Sequence, residues 1–350
     1  MKEIAGKRSV NKKKPTMSDV AKLAGVSQAT VSYVINQSAP ISPEVKTRVE
    51  EAIRQLDYTP NALAQNLKSR RSRTIGLLLP TISNPFYSNI ANYAENALRQ
   101  NNYVSLLACT HSSSDAEALC LNEFLSYNVA GVVIAYSLVD KSLYKLVRGS
   151  NIPLIVLDDR PNESDVPSIE VDNEYGGFLA TQHLAERGYK HIAIVSEPLT
   201  KLPLVQRITG WERALSQNKL DGQLVLTQSG SEAAEGLFEV GYHIGLSLIG
   251  SGHDAIFATS DYLALGILRC LLENKVHVPR DVALIGYDDI YAAQMSTPSL
   301  STIAQPIQKM VEIGVKSLLA QIAGQEITMR QSLSPLLVAR ESTLGIRAEQ

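Results

Sequence analysis

At 350 residues the chain is too long for one small module and long enough for two or three domains. Hydrophobic residues make up 45% and charged residues 19%, the balance of a folded globular protein, which excludes wholesale disorder. The net charge of −2 conceals a split: residues 1–73 carry 14 Lys and Arg against 6 Asp and Glu, whereas the rest carries 19 against 29, so a +8 head precedes a −10 body.

A basic head calls for a polyanionic partner. The longest uncharged apolar stretch, Val129 to Val139, is well short of the roughly 18 residues a membrane helix needs, and the polar, basic N-terminus has no signal-peptide core. Cys109, Cys120 and Cys270 form neither a CxxC nor an even framework, which fits a reduced, cytoplasmic setting.

Residues 1–15 read as a flexible basic tail. Thr16 with Asp19 three residues on is a capping box, so a helix is expected from about Met17, with Met17, Val20, Ala21 and Ala24 on its apolar face. Gly25 supplies a turn. Ser27 then caps a second helix that buries Val31, Val34 and Ile35. Two short helices joined by a glycine turn make a helix-turn-helix. Ser42-Pro43 opens a third helix striped by Val45, Val49, Ile53 and Leu56. This all-α head is expected over 16–59, followed by a hinge or linker over 60–73.

The run D-V-A-x-x-A-G-V-S-x-x-T-V-S-x-V-I-N from Asp19 to Asn36 closely resembles the DNA-binding head of the LacI/GalR transcription regulators. Asp57 to Leu67, D-Y-T-P-N-A-L-A-Q-N-L, resembles that family's hinge helix, and Arg340-Glu341-Ser342-Thr343 extends the likeness to nearly the whole chain after residue 15. The resemblance implies that a homodimer binds a pseudo-palindromic double-stranded DNA operator. The start of a recognition helix meets base edges in the major groove, which here means Gln28, Ala29 and, one turn on, Tyr33. Ser27, Thr30 and Ser32 suit phosphate and capping roles, and Thr16 and Asn36 complete the expected DNA face. Many family members carry arginine where Tyr33 stands, so their guanine pairing does not transfer. Asn61, Ala64 and Leu67 belong to the implied hinge helix, whose Leu67 would wedge between base steps in the minor groove.

From Thr74 short Val/Ile/Leu-rich runs alternate with helix-like stretches. The expected strands are 75–79, 103–108, 131–135, 153–157, 191–195, 223–227, 255–258 and 282–285, enough for two doubly wound parallel-sheet α/β lobes. The resemblance implies a periplasmic-binding-protein-like body over 74–350, with lobe one at about 74–172 and 303–331 and lobe two at about 173–302 and 332–350. Ligands of open α/β sheets collect beyond strand C-terminal ends. There the sequence places Asn84, Phe86 and Tyr87, then Tyr136, then Asp158 and Arg160, then Ser260 and Asp261, then Asp288, with Gln305 at the return to lobe one. Arg207 and Trp211 form the family's R-x-x-G-aromatic motif.

Carboxylates that accept from paired hydroxyls, beside an arginine, make a sugar-type site, with Phe86 or Tyr87 available to a ring face. The expected effector is therefore a small carbohydrate. The mostly apolar Lys201-Leu202-Pro203-Leu204-Val205 weighs against a purine and leaves room for a glycoside. A non-sugar corepressor or a partner protein is the alternative within regulators. An enzyme is the rival from another class, but no GxGxxG after a strand, Walker loop or GxSxG occurs, and no cofactor or metal is called for. A secreted sugar-binding protein is opposed by the attached head and the missing signal peptide.

Overall fold

The computed structural model describes residues 15–344 apart from 37, 60–71, 112, 136–148, 162–165, 200 and 228–233. The chain divides into two units, Met1–Arg71 and Ser72–Gln350.

The first unit holds α1 (Met17–Ala24), α2 (Gln28–Asn36) and α3 (Pro43–Gln55). The capping box forms as its spacing requires: Asp19 N–H donates to Thr16 Oγ1 at 3.3 Å and Thr16 N–H to Asp19 Oδ2 at 2.8 Å. Gly25 closes α1 at φ 65°, a left-handed value that favours glycine. Arg48 of α3 donates to Ala24 O at 2.6 Å and Gly25 O at 3.2 Å, tying the third helix to the turn. Val20, Val31 and Val49, one from each helix, are fully buried together.

In the second unit, β1 (Thr74–Leu79), β2 (Val104–Cys109), β3 (Gly131–Ala135), β4 (Leu154–Leu157), β5 (Ser168–Val171) and β11 (Arg330–Leu333) form one parallel sheet, in the order β11-β5-β4-β3-β1-β2. Its side chains alternate between two cores. Ile75, Leu77 and Leu79 face α4 (Pro85–Gln100) and α11 (Ile307–Ile322), while Leu78 faces Leu121 and Phe124 of α5 (Ser114–Ser126). Burial on both faces is why these strands read as continuous apolar runs.

The second lobe holds the parallel sheet β7-β6-β8-β9, made of β7 (Asp221–Leu226), β6 (His191–Ser196), β8 (Ala255–Ala258) and β9 (Ala283–Ile285). Around it lie α6 (Asn173–Glu186), α7 (Leu202–Asn218), α8 (Ala234–Leu248), α9 (Asp261–Glu273) and the short α10 (Tyr291–Met295). An antiparallel ribbon pairs β10 (Thr302–Ala304) with β12 (Leu336–Val338), and α12 (Glu341–Leu344) follows. The chain passes between the lobes three times: after β5, after β10, and between β11 and β12.

The eight expected strands are present with bounds shifted by at most two residues. Four others, β5, β10, β11 and β12, were not expected. Each is three or four residues long, and β5 carries Glu170 mid-strand. No described helix is long and apolar enough to cross a membrane.

Candidate functional site

In the head, the start of α2 is presented to solvent. Ser27, Gln28, Ala29, Tyr33 and Asn36 are exposed, as is Thr16 at the α1 cap. Ser27 caps α2: Thr30 N–H donates to Ser27 Oγ at 3.1 Å, and the two hydroxyls lie 2.9 Å apart. Asn36 Nδ2 donates to Ser32 Oγ at 3.2 Å. Tyr33, at 45% exposure, is not packed into the head core. Gln28, Ala29 and Tyr33 thus share an outward face with two hydroxyl side chains beside it. Asn61, Ala64 and Leu67 lie outside the described residues.

In the body, three of the expected residues converge on one buried charged cluster. Asp158 follows β4 with φ 59°, and Asp288 follows β9 with φ 116°. Arg207 lies in the second turn of α7. All three are no more than 6% exposed. Arg207 donates Nε to Asn173 Oδ1 at 2.8 Å and Nη1 to Thr259 O at 2.7 Å, and its guanidinium lies 3.7 Å from the Tyr287 ring centroid. Asp288 Oδ1 accepts from Gln305 Nε2 at 2.7 Å. Asp158 Oδ1 and Gln305 Oε1 are buried without a hydrogen-bond partner. Lys201 and Glu197 pair at 3.3 Å close by, both largely buried.

The cluster is buried with its charges in conflict. Burial pushes the Asp158 carboxyl up to about 7; Arg207 opposes the shift and Asp288 reinforces it. Burial likewise raises Asp288 to about 7 against the pull of Arg207. Burial alone would lower the Arg207 pKa, but the potential of Tyr287, Asp288, Asp158 and Tyr87 outweighs it and the net direction is upward. Two carboxylates from opposite lobes thus lie in the field of one guanidinium, whose own hydrogen bonds go to Asn173 and Thr259. A cavity of about 700 Å³ adjoins Asp288 and Gln305, lined further by Asn89, Tyr93, Lys309 and Glu312, while Asp158 and Arg207 lie outside its lining.

The other expected residues are distributed differently. Phe86 is 4% exposed in the first-lobe core, and Trp211 is 5% exposed in the second, with its indole N–H on Ile192 O at 3.3 Å. Both are packing groups. Gly210 of the same motif lets α7 cross α6, since a Cβ there would lie 2.0 Å from Glu174 O. Asn84 caps α4 through Phe86 N–H, and Ser260 caps α9 through Leu263 N–H. Arg160 turns to Glu170 of β5, pairing with a carboxylate that would otherwise be buried alone. Asp261 braces the 286–290 turn, accepting from Thr302 Oγ1 at 2.6 Å and Ile290 N–H at 2.9 Å. Its burial, with Asp288 adding, raises its pKa well above the usual range. Tyr87 is half-buried and edge-on to Phe86. Tyr136 lies outside the described residues.

Asn173 was missed. It follows β5, a strand too short and too interrupted by charge to be read, so its strand end was not inspected. Among the described residues no three His, Cys, Asp or Glu side chains group as metal ligands.

Two family models match the chain: bacterial regulatory proteins of the lacI family over residues 16–61, and the periplasmic binding protein-like domain over residues 181–343. The ribose operon repressor of Escherichia coli K12 is 32% identical over 331 residues, covering 93% of this chain and 99% of that protein. The transcriptional repressor PurR of Haemophilus influenzae (strain PittEE) is 33% identical over 340 residues, covering 95% and 99%. Among solved structures, the lac repressor dimer bound to operator and the anti-inducer ONPF aligns with a TM-score of 0.83 at 28% identity, covering 95% of this chain and all of that one. A LacI family regulator from Enterococcus faecium with bound ribose aligns at 0.70 and 30% identity over 78% of this chain and all of its own. The head, the two lobes and full-length identity above 30% make this chain a member of the LacI family of bacterial transcription regulators: a DNA-binding repressor-type protein, not an enzyme.

Proposed function

We propose that the protein represses transcription from the cytoplasm as a homodimer on a pseudo-palindromic operator, and that a small polyhydroxylated effector, a pentose or related sugar, enters between the lobes to control it. The division of labour follows the chain. The head over 16–59 reads DNA with Gln28, Ala29 and Tyr33, steadied by phosphate contacts from Thr16, Ser27, Thr30, Ser32 and Asn36. Residues 60–73 are the hinge, with Asn61, Ala64 and Leu67 toward the minor groove. Residues 74–350 bind effector and partner subunit.

The observation that carries the effector reading is the buried cluster. Asp158 and Asp288 sit at strand ends of opposite lobes, with Asp158 Oδ1 and Gln305 Oε1 lacking donors. A site rich in acceptors wants a ligand rich in hydroxyl donors, and an arginine between the carboxylates can donate to ring or hydroxyl oxygens. An anionic ligand would add charge to a cluster that already holds two carboxylates for one guanidinium. Tyr87, on α4 near Arg207, offers a ring face. Ligand contact across both lobes would hold them closed, and the lobe angle would then set the spacing of the two heads.

The relationship to PurR supports a second reading, a purine corepressor, and one experiment separates the two. A thermal-shift panel of pentoses, hexoses, glycosides and purine bases should give stabilisation with a sugar. Arg207→Ala combined with Asp288→Ala should abolish that stabilisation and the sugar's effect on operator binding, with operator affinity retained. Stabilisation by purines alone would replace the sugar assignment, and an unaltered response in the double variant would move the site elsewhere.

A further inference from the structure

Each of the three passages between the lobes is followed by a side chain that holds a charge of the cluster or its direct neighbour. After β5, the chain reaches Asn173, which is 1% exposed. Its Nδ2 donates to Val171 O at 3.0 Å, and its Oδ1 accepts from Arg207 Nε at 2.8 Å. Only this orientation of the amide satisfies both partners, so Asn173 is locked to the strand that leaves lobe one and holds the arginine of lobe two. After β10, Gln305 holds Asp288. After β12, Arg340 donates Nη2 to Asp289 Oδ1 at 2.6 Å and Nη1 to Leu300 O at 2.9 Å. Asp289 adjoins Asp288, and both have positive φ, 57° and 116°. Backbone of that kind persists in non-glycine residues only where neighbours hold it. Asp289 N–H also donates to Thr302 Oγ1, which is bonded to Asp261, so the turn is clamped from three sides.

We infer that Asn173 and Arg340 are positioning residues: Asn173 sets Arg207, and Arg340 through Asp289 sets Asp288, so each lobe passage is mechanically joined to one effector-binding charge. This deepens the functional reading above and rests on it for the identity of the charges. Rotation of the lobes strains the passages, and the strain reaches Arg207 through Asn173 and Asp288 through Arg340 and Asp289. Conversely, a ligand that pulls on Arg207 or Asp288 pulls on the passages. Hydrogen-bonded chains of buried and part-buried side chains can carry energetic coupling, and these bonds form such chains.

The test needs no ligand. Asp158, Asp288, Asp159, Glu197, Lys201, Tyr87 and Tyr287 are the titratable groups around the cluster, and Asp261 and Asp289 face Asp288 from the adjoining turn, so each variant is read as a shift against wild type. Thermal unfolding of the full chain across pH 5–9 should show stability falling as Asp158 and Asp288 ionise around pH 7. Asn173→Leu frees Arg207 and should move the midpoint of that fall by about one pH unit. Asn173→Gln, which keeps an uncharged acceptor for Nε and an amide donor for Val171 O, should bring it back toward wild type. Arg340→Met should move the midpoint by at least half a unit, and Arg340→Lys by less. Loss of stability by an equal amount at every pH, with the midpoint unmoved, would make both residues ordinary scaffold and overturn the inference. In a second arm, operator release is titrated with D-ribose. Where wild type responds, Asn173→Leu should need at least tenfold more sugar, and an unchanged dose would overturn the inference. A failed sugar screen would sink the functional reading while the pH arm still decides the role of Asn173.

Discussion

Asp158 is a buried carboxyl whose chemistry departs far from that of an exposed aspartate. Its carboxyl is buried with one oxygen unpartnered and a pKa raised to about 7. A carboxylate raised above its unfolded value binds more protons in the native state. Its contribution to stability is therefore full below the unfolded pKa of 3.8 and is lost as pH rises through about 7. Asp158→Asn removes the ionisation and keeps the shape. The variant should unfold at a higher temperature than wild type at pH 8, by roughly 2–4 °C for each kcal/mol recovered, and by a smaller margin at pH 5. Sugar stabilisation should vanish in the same protein. A calorimetric scan at the two pH values checks the sign, and a lower Tm at pH 8 would show that the charge is compensated. The position of Asp158 was legible because the strand before it is an unbroken apolar run. That Arg160 would leave the cluster for Glu170 was not, because β5 is four residues long and its buried glutamate masks it.

Among the elements, α1 and α2 were legible to the residue, since capping box, glycine turn and serine cap are local signals that need no tertiary knowledge. Thr16→Ala should cost the head about 1 kcal/mol, the usual worth of an N-cap, measured by chemical unfolding of the full chain followed in its first transition. α7 shows the opposite case. Its R-x-x-G-aromatic motif looked like a ligand-binding unit, and it resolves into three jobs: Arg207 in the cluster, Gly210 at a helix crossing and Trp211 in the core. Sequence spacing gives one helix but does not say which of its faces meets the sheet. Gly210→Ala brings a methyl against Glu174 O, so α6 and α7 must part. Because Asn173 begins α6, that separation should weaken sugar stabilisation as well as lower Tm. A variant with lowered Tm and full sugar response would show that the helix pair does not set the cluster.

At the scale of the molecule the charge is split +8 and −10, and the positive excess lies in the segments that flank the head: residues 16–59 carry 4 Lys and Arg against 5 Asp and Glu, so the proposed phosphate contacts fall mainly to residues 1–15 and 60–73. Operator affinity should fall steeply with salt, by about 0.9 in log K per tenfold salt for each phosphate neutralised. Leu67→Ala should weaken operator binding more than binding to random DNA, because an inserted side chain contributes only where a base step can open. Gel-shift titrations on the two DNAs would refute the hinge proposal if the losses were equal. One last consequence belongs to biosynthesis. Neither lobe is continuous: the first sheet waits for α11 and β11, and the second for Ser342, whose hydroxyl donates to Leu284 O and accepts from Ser301 N–H. At about 5–20 residues per second, roughly 15–50 s separate translation of β1 from that of α12. Through that interval the nascent body carries an uncovered apolar sheet face. The head, a unit of its own, is translated before either lobe can close.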